Sequence, residues 1–548
     1  MNIEDRNGTT VVRRTGEYKP KPSFNTWLIG RPLQTADSEQ QTIGKFIGLA
    51  VFSSDAMSSV AYAPQEMLIV LVAAGTAGFA YSIPLAIAIV VLLTILTLSY
   101  EQTIHAYPNG GGAYIVSRDN LGEIPALVAA SALLTDYILT VAVSISSGVA
   151  QVVSAIPNLE PFRVTIAVGM VVFITVINLR GIKESGSTFA IPSYFFVFMM
   201  VLTVVVGLFR FLILGSLGQV IDPPQDLMRN LVQPITIFLI LKAFSSGTTA
   251  LTGVEAISNG ITAFKEPRSK NAGTTLIMMA FILGSLMLGI TFLSHQIGVM
   301  PSEEETVISQ LARTVFDSRG VFYLAAIFST MIILMLAANT AFAGFPWLAA
   351  LTATDGYLPR QLTYRGSRLV YSRGIIMLAS AAILLIFVFQ ANVTRLIPLY
   401  AIGVFLSFTL SQSGMAHRWY KTGKLKPGGE TKERGSMLKH DPRWWIKMII
   451  NGLGAAVTLV VTLVFSITKF TSGAYIVLIL IPLLVFVFLA IHRHYKSIAS
   501  KLSLDHYGAP PHLSRNRVIL AVAGVHRGTL AALRYARTLS DDITAVHV

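Results

Sequence analysis

From about position 44 to position 492, runs of roughly 20 or more mostly apolar residues recur along the chain, each long enough to cross a ~30 Å hydrocarbon layer as a helix. Inside a bilayer the backbone must satisfy its own polar groups, which leaves helices or closed barrels. A barrel would alternate polar and apolar residues, so these continuous runs mean helices. With 53% hydrophobic and only 13% charged residues over 548 positions, the chain is too apolar for a soluble protein of this size. The expected fold class is an all-α polytopic membrane protein.

Twelve spans are predicted, near residues 44–74, 83–104, 124–156, 162–180, 187–213, 236–264, 272–294, 321–350, 373–390, 394–416, 444–468 and 472–492. The preceding segment, 1–43, is polar and basic and carries no apolar core of the signal-peptide kind. If it is cytoplasmic, every second loop is cytoplasmic too. Those loops hold Lys265, Arg268 and Lys270, then Arg360, Arg365, Arg368 and Arg373, then the basic stretch from His417 to Lys447. The positive-inside pattern therefore closes, with both termini cytoplasmic and the protein multi-pass in the cell membrane. It also accounts for the net charge of +14 without nucleic-acid binding. On the outer side, Glu303, Glu304 and Glu305 precede an amphipathic stretch, Val307 to Phe316, expected as a short helix on that surface.

After the last span the composition changes. Residues 493–548 pass through Gly508-Ala509-Pro510-Pro511 and then read as strand, helix, strand, from Arg517 to Val548. One βαβ unit is too small to hold a core of its own, so it is expected either to be part of a larger domain or to dock on something.

The first apolar run contains an acid, in Phe52-Ser53-Ser54-Asp55-Ala56-Met57-Ser58-Ser59. A carboxylate near the bilayer centre costs roughly 2.5–3.5 kcal/mol on insertion scales, so it faces a cavity, a cation or a partner. Span six repeats the anomaly in Ser245-Ser246-Gly247-Thr248-Thr249-Ala250-Leu251-Thr252-Gly253-Val254-Glu255. Inverted-repeat transporters of the LeuT type repeat after five helices, and the first helix of each repeat is broken near the midplane. Asp55 and Glu255 occupy those two expected breaks, which predicts a 5+5 inverted repeat. Span three adds Asp136, Thr140 and Ser144 at i, i+4 and i+8, one polar stripe on an otherwise apolar helix. Tyr62 and Tyr400 add phenol oxygens at similar depth. Such a cavity suits a hard cation. Each residue also has a structural explanation: Thr140 and Ser144 would bond their own i−4 carbonyls, the tyrosines need only one partner each, and the acids would be protonated or locally paired. Glu66, after Pro64, would snorkel outwards or pair with a polar neighbour.

Several classes are excluded. No His-Glu-x-x-His, Gly-x-Ser-x-Gly or Cys/His cluster occurs, so no enzyme is expected and no cofactor. The glycines of Pro108-Asn109-Gly110-Gly111-Gly112-Ala113-Tyr114 lack the Lys and Ser or Thr of a phosphate loop and read as a tight turn or a gate hinge. A channel filter of the Thr-Val-Gly-Tyr-Gly kind is absent.

Together, the stretch Phe52 to Tyr62, Thr135-Asp136-Tyr137, Thr252-Gly253-Val254-Glu255 and Pro398-Leu399-Tyr400-Ala401-Ile402-Gly403 resemble the KimA-type potassium importers of the amino acid–polyamine–organocation (APC) superfamily, relatives of the KUP-type uptake proteins. The resemblance covers nearly the whole chain, and Phe345-Pro346 to Arg360 is also similar to the superfamily. It implies proton-coupled potassium uptake by a homodimer, with Asp55, Tyr62, Asp136, Tyr137, Thr140, Ser144, Thr252, Glu255 and Tyr400 at the potassium site, and Asp136 and Thr140 among the direct ligands of K⁺. It further implies that 493–548 begins a cytoplasmic universal-stress-protein-like domain able to bind cyclic di-AMP. There His526 and Arg527 would meet a phosphate, or else form a surface turn.

The rival reading is an amino-acid or polyamine symporter of the same superfamily. An amino-acid carrier meets the substrate carboxylate with bare amides at the first break. Here the break carries Asp55, which at 4 Å and an effective dielectric near 20 would repel a carboxylate by roughly 4 kcal/mol. The same charge attracts K⁺ or an ammonium group. Alternating access with a proton carried by Asp55 or Glu255 is the expected mechanism, because burial favours a neutral carboxyl and a nearby cation favours the charged form. A gated cation channel or a nucleotide-regulated receptor is the remaining alternative.

Overall fold

The computed structural model describes residues 2–6, 9–13, 42–110, 112–215, 217–221, 234–302, 305–366, 368–432, 437–503 and 517–547. Most of the basic segment 1–43 lies outside them, as do Glu303, Glu304 and the stretch Gly508-Ala509-Pro510-Pro511. The chain divides into two compact units, Met1–His492 and Arg493–Val548.

The first unit opens with an antiparallel pair, β1 (Asn2–Arg6) and β2 (Thr9–Arg13). Its helices are α1 (Lys45–Phe52), α2 (Ser54–Ser58), α3 (Ala63–Val72), α4 (Gly75–Phe79), α5 (Ser82–Ala106), α6 (Gly112–Asn120), α7 (Glu123–Ala155), α8 (Arg163–Arg180) and α9 (Ile182–Leu214). There follow α10 (Ile237–Gly247), α11 (Val254–Asn259), α12 (Arg268–Ile297), α13 (Val307–Val315), α14 (Val321–Thr354), α15 (Ser372–Val388), α16 (Val393–Leu396) and α17 (Ile402–Gly423). A short hairpin, β3 (Glu430–Lys432) and β4 (Met437–Lys439), leads to α18 (Trp444–Thr468) and α19 (Ala474–Leu502).

Among the described residues nine helices are long and apolar enough to cross a membrane, and ten if α1 and the helical stretch Ser54–Val72, bent by 53° at Ser53, count as one. Two predicted spans fall short of that measure. The helix α15 is apolar but short. In α17 the polar residues go to its neighbours: Thr409 donates to the Thr458 hydroxyl (3.0 Å), and Thr458 donates to Gln412 (3.3 Å). Helix association in lipid relies on such small and polar contacts, and they dilute a span's apolar signature. Span ten, expected unbroken over 394–416, is interrupted between α16 and α17, where Ala401 has φ 73°.

The long helices α7 and α14 pack along each other at the centre of the bundle. Around them, α8, α9, α15 and α19 turn large apolar side chains outwards, including Phe198, Phe209, Leu212, Phe387, Ile479 and Phe486. An exposed apolar surface of this extent is what a lipid solvent requires and water would not tolerate.

The helix α13 forms as expected but is buried rather than superficial: every residue from Val307 to Val315 is enclosed. Polar partners meet it inside the protein: Arg313 pairs with Glu305 through Nη1 and Nη2 (2.8 and 3.0 Å), and the Ser309 and Tyr323 hydroxyls lie 2.9 Å apart. Amphipathicity here serves a polar interior contact.

In the second unit, β5 (Arg517–Val522) pairs in parallel with β6 (Asp542–His547) in the register Arg517↔Asp542 to Val522↔His547, with α20 (Arg527–Leu539) as the crossover. Parallel strands need such a crossover.

Candidate functional site

The two helix breaks meet. At the first, α1 ends at Phe52, Ser53 stands between the helices, and α2 runs into a 3₁₀ turn over Ser59–Ala61. At the second, a 3₁₀ turn over Thr248–Leu251 leads to Thr252 in extended conformation and to Gly253 at φ 83°. Only glycine fits there. A Cβ at Gly253 would stand 2.7 Å from both Asp55 Oδ2 and the Ala56 nitrogen, so the backbone of one break lies against the carboxylate of the other. The Ser59 hydroxyl donates to the Ala250 carbonyl (2.8 Å), and Tyr62 Oη lies 3.4 Å from Thr252 Oγ1.

The stripe on α7 faces this junction. Thr140 Oγ1 donates to Tyr400 Oη (3.3 Å) rather than to its own i−4 carbonyl. Thr135, by contrast, follows the local pattern and bonds the Ser131 carbonyl (2.8 Å). Tyr400 sits in the third break, between α16 and α17, within electrostatic range of Asp55, Tyr62 and Asp136. Asp55 and Asp136 are 5% and 7% exposed. Three acceptor oxygens here, Asp55 Oδ1, Asp136 Oδ1 and Ser144 Oγ, are buried without a hydrogen-bond partner among the described residues. Unsatisfied buried oxygens are costly, and two carboxylates within electrostatic range of each other with free lone pairs match the needs of a partly dehydrated cation, while Ser144 stands two helical turns along α7 from Asp136. Thus Asp55, Tyr62, Asp136, Thr140, Thr252 and Tyr400 form one group, and Ser144 lies one turn beyond Thr140 on the same buried stripe.

Glu255 and Tyr137 belong to a second, adjoining group. Glu255 accepts from the Ala113 amide (2.9 Å) and from Ser407 Oγ (2.9 Å), while Asn259 Nδ2 donates to Tyr137 Oη (2.8 Å). The glycine-rich turn joins them: a Cβ on Gly112 would collide with Asn259 Oδ1 and lie 2.7 Å from Glu255 Oε1. Asn259 and Ser407 were not singled out from the sequence. Spacing offered a signal, since Asn259 follows Glu255 by one helical repeat (i, i+4) and Ser407 follows Tyr400 by two turns (i, i+7). Ala113 contributes only its backbone, which no side-chain pattern reveals.

The helix α6 also carries a latch. Tyr114 Oη and Arg118 Nη1 both donate to Asp355 Oδ2 (2.6 and 2.7 Å), tying α6 to the end of α14. Burial, aided by the Asp355 carboxylate, pushes the Tyr114 phenol well above its ordinary range, so the latch stays protonated. These residues border a cavity of about 360 Å³ with Glu123, Tyr357 and His492. Arg360, Arg365 and Arg373, which follow Asp355 and Tyr357 in the chain, are exposed.

His526 and Arg527 lie in the second unit, both exposed. His526 Nδ1 caps α20 by accepting from the amides of Gly528 (3.1 Å) and Thr529 (3.4 Å). Among the described residues no group of three or more His, Cys, Asp or Glu side chains could hold a transition metal.

A family model described as amino acid permease matches residues 45–494. Over 528 residues the chain is 46% identical to the potassium transporter KimA of Bacillus subtilis (strain 168), an alignment covering 96% of this chain and 83% of KimA. The matched permease region runs through both breaks, the α7 stripe and the third break, and identity at this level extends over the whole membrane unit and beyond it. The chain therefore belongs to the amino acid permease family of the APC superfamily, as a relative of the KimA potassium transporter.

Proposed function

We propose that the protein imports potassium by alternating access, as a proton/potassium symporter. The observation that carries this reading is the pair of buried, unpartnered carboxylate oxygens, Asp55 Oδ1 and Asp136 Oδ1, within electrostatic range of each other where two helix breaks abut, with Ser144 Oγ, also unpartnered, further along the α7 stripe. K⁺ enters from the face opposite the basic loops and exchanges its water for these oxygens and those of Thr140, Tyr62, Thr252 and Tyr400. It leaves through the basic, cytoplasmic face once the glycine-rich turn and the α6 latch open. The proton rides on Asp55 or Glu255. Glu255 suits a gate role, because its carboxylate holds the turn through the Ala113 amide. The architecture we infer is twelve spans in a 5+5 inverted repeat of the LeuT type, in the plasma membrane. The assembly is a homodimer, and the second unit is a universal-stress-protein-like regulator answering to cyclic di-AMP.

Uptake in potassium-starved cells tests the site. Asp55→Asn and Asp136→Asn are each expected to lower K⁺ uptake at least ~100-fold, the consequence of removing a charge worth roughly 3 kcal/mol to a desolvated cation. Full uptake by both variants would sink the assignment.

The amino acid permease description favours a second reading, an amino-acid or polyamine carrier. The carboxylate of Asp55 beside Gly253 argues against a substrate carboxylate there and leaves a polyamine as the stronger rival. Competition assays separate these: inhibition of K⁺ uptake by equimolar putrescine would favour the polyamine.

A further inference from the structure

Two cavities share a wall on the face opposite the basic loops. The wider, about 430 Å³, is bordered by Glu66, Lys242, Thr394, Arg395, Lys469 and Ser472. The narrower, about 30 Å³, is bordered by Tyr62, Glu66, Gln151, Arg163, Thr306 and Thr394, the Arg163 guanidinium being paired with Glu160 (3.1 Å). The narrow one has room for one or two waters, or a single largely dehydrated ion. Glu66 and Thr394 face both, and the narrow cavity ends on Tyr62, a residue of the central group. Along α3, Glu66 stands one turn beyond Tyr62, its amide bonded to the Tyr62 carbonyl (2.9 Å). Its side chain does not snorkel: Glu66 is 4% exposed. An ion moving from the wide cavity to Tyr62 must pass this carboxylate.

We propose that Glu66 is an outer monovalent-cation site on the approach to the central cavity, with the Lys469 ammonium as a tethered counter-cation that an arriving external cation displaces. The inference rests on the potassium-import reading.

Lys469 follows the last residue of α18 and is itself buried, 5% exposed. A buried ammonium needs a compensating charge. Glu66 on α3 favours its protonated form, while Lys242 on α10 opposes it; Arg395 on α16 borders the same cavity, and α19 begins there without a charged residue. Burial pushes the Lys469 ammonium down to about 8, with Glu66 pulling it back up and Lys242 lowering it further. The sign follows directly. Below about pH 8 Lys469 is charged and competes with K⁺ for Glu66, and above it the competitor is neutral. By linkage, a cation held at Glu66 removes the support of the ammonium and favours loss of its proton. A charge on the protein thus holds the site until the external cation is abundant enough to replace it.

The test uses the full chain in proteoliposomes, reading K⁺/Rb⁺ exchange with equal pH on both sides so that no proton gradient enters. For the wild type, the half-saturating K⁺ concentration is expected to fall about fivefold or more from pH 6.5 to pH 9.0, the lower end of typical coupling factors. Lys469→Met should show the low value at both pH values, and Lys469→Arg the high value at both. Glu66→Gln should raise half-saturation and abolish the effect of Lys469→Met in the double variant. Equal half-saturation in wild type and Lys469→Met at both pH values would overturn the proposal. Should Lys469→Met fail to insert, the wild-type pH curve set against that of Lys469→Arg decides the same question. Absence of any K⁺/Rb⁺ exchange by the wild type would instead overturn the potassium-import reading.

Discussion

At the scale of single residues, the site is defined by which hydroxyls are already engaged. On α7, the Thr135 hydroxyl is taken by the Ser131 carbonyl, whereas Thr140 reaches across to Tyr400 and Ser144 Oγ is buried without a partner among the described residues. Three hydroxyls on one helix thus differ in availability although their types are nearly the same. Ser144→Ala is expected to raise the half-saturating K⁺ concentration about tenfold, equivalent to about 1.4 kcal/mol of lost coordination. Thr135→Val should leave it within about twofold, since it deletes a bond that never faced the ion. Uptake kinetics on both variants check the pair, and equal effects would dissolve the distinction. The stripe itself was legible from the i, i+4, i+8 spacing of Asp136, Thr140 and Ser144. Whether each hydroxyl would turn inward to its own helix was not, because a local bond and a cross-helix bond are nearly equal in energy and neighbouring helices decide between them.

At the scale of elements, breaks rather than helices do the chemistry. A regular helix uses its own carbonyls and amides, so a span can present backbone to a ligand only where it is interrupted. The first two breaks were readable because each carries an acid among Ser, Thr and Gly. The third, at Tyr400 and Ala401, carries no acid, and its signals were Pro398 and Gly403 alone. Gly253 is the position where geometry is least forgiving: an alanine there meets Asp55 Oδ2 and the Ala56 nitrogen and must also adopt φ 83°. The left-handed backbone costs roughly 1–2 kcal/mol for a residue with a Cβ, and the contact adds to it. Gly253→Ala is expected to reach the membrane in near-normal amount, because the bundle's packing lies elsewhere, yet to lose most K⁺ uptake. Immunoblotting of membranes beside uptake would show it, and normal uptake would mean that the two breaks need not abut. The helix α13 teaches the complementary lesson. Its amphipathic pattern was legible, but the same pattern serves a helix on a surface and one inside the protein whose Arg313 meets Glu305 and whose start is held by Gln151 and Gln65, through Thr306 and the Val307 amide.

At the scale of the whole molecule, the proposed import cycle requires a closed path on one face while the other opens. Glu255 holding the Ala113 amide and Asp355 holding Tyr114 and Arg118 both act on α6, so one short helix connects the central acids to the basic face. Proton coupling belongs to this scale. Collapsing the pH gradient with an ionophore, with the membrane voltage clamped at zero, is expected to abolish K⁺ accumulation against its gradient. K⁺ flux that follows voltage alone and is unaffected by an imposed pH gradient would identify a channel instead.

The membrane class and the family were legible in the sequence alone, because insertion energetics act on each stretch of about 20 residues locally and leave a compositional record. The tertiary structure alone decided which oxygens face a common centre. It set Asp55 against Gly253, separated Glu255 and Tyr137 into a group with Asn259 and Ser407, and placed Glu66 between two cavities. These are contacts between residues up to hundreds of positions apart, made through helix packing and backbone atoms. No local pattern in a chain encodes them.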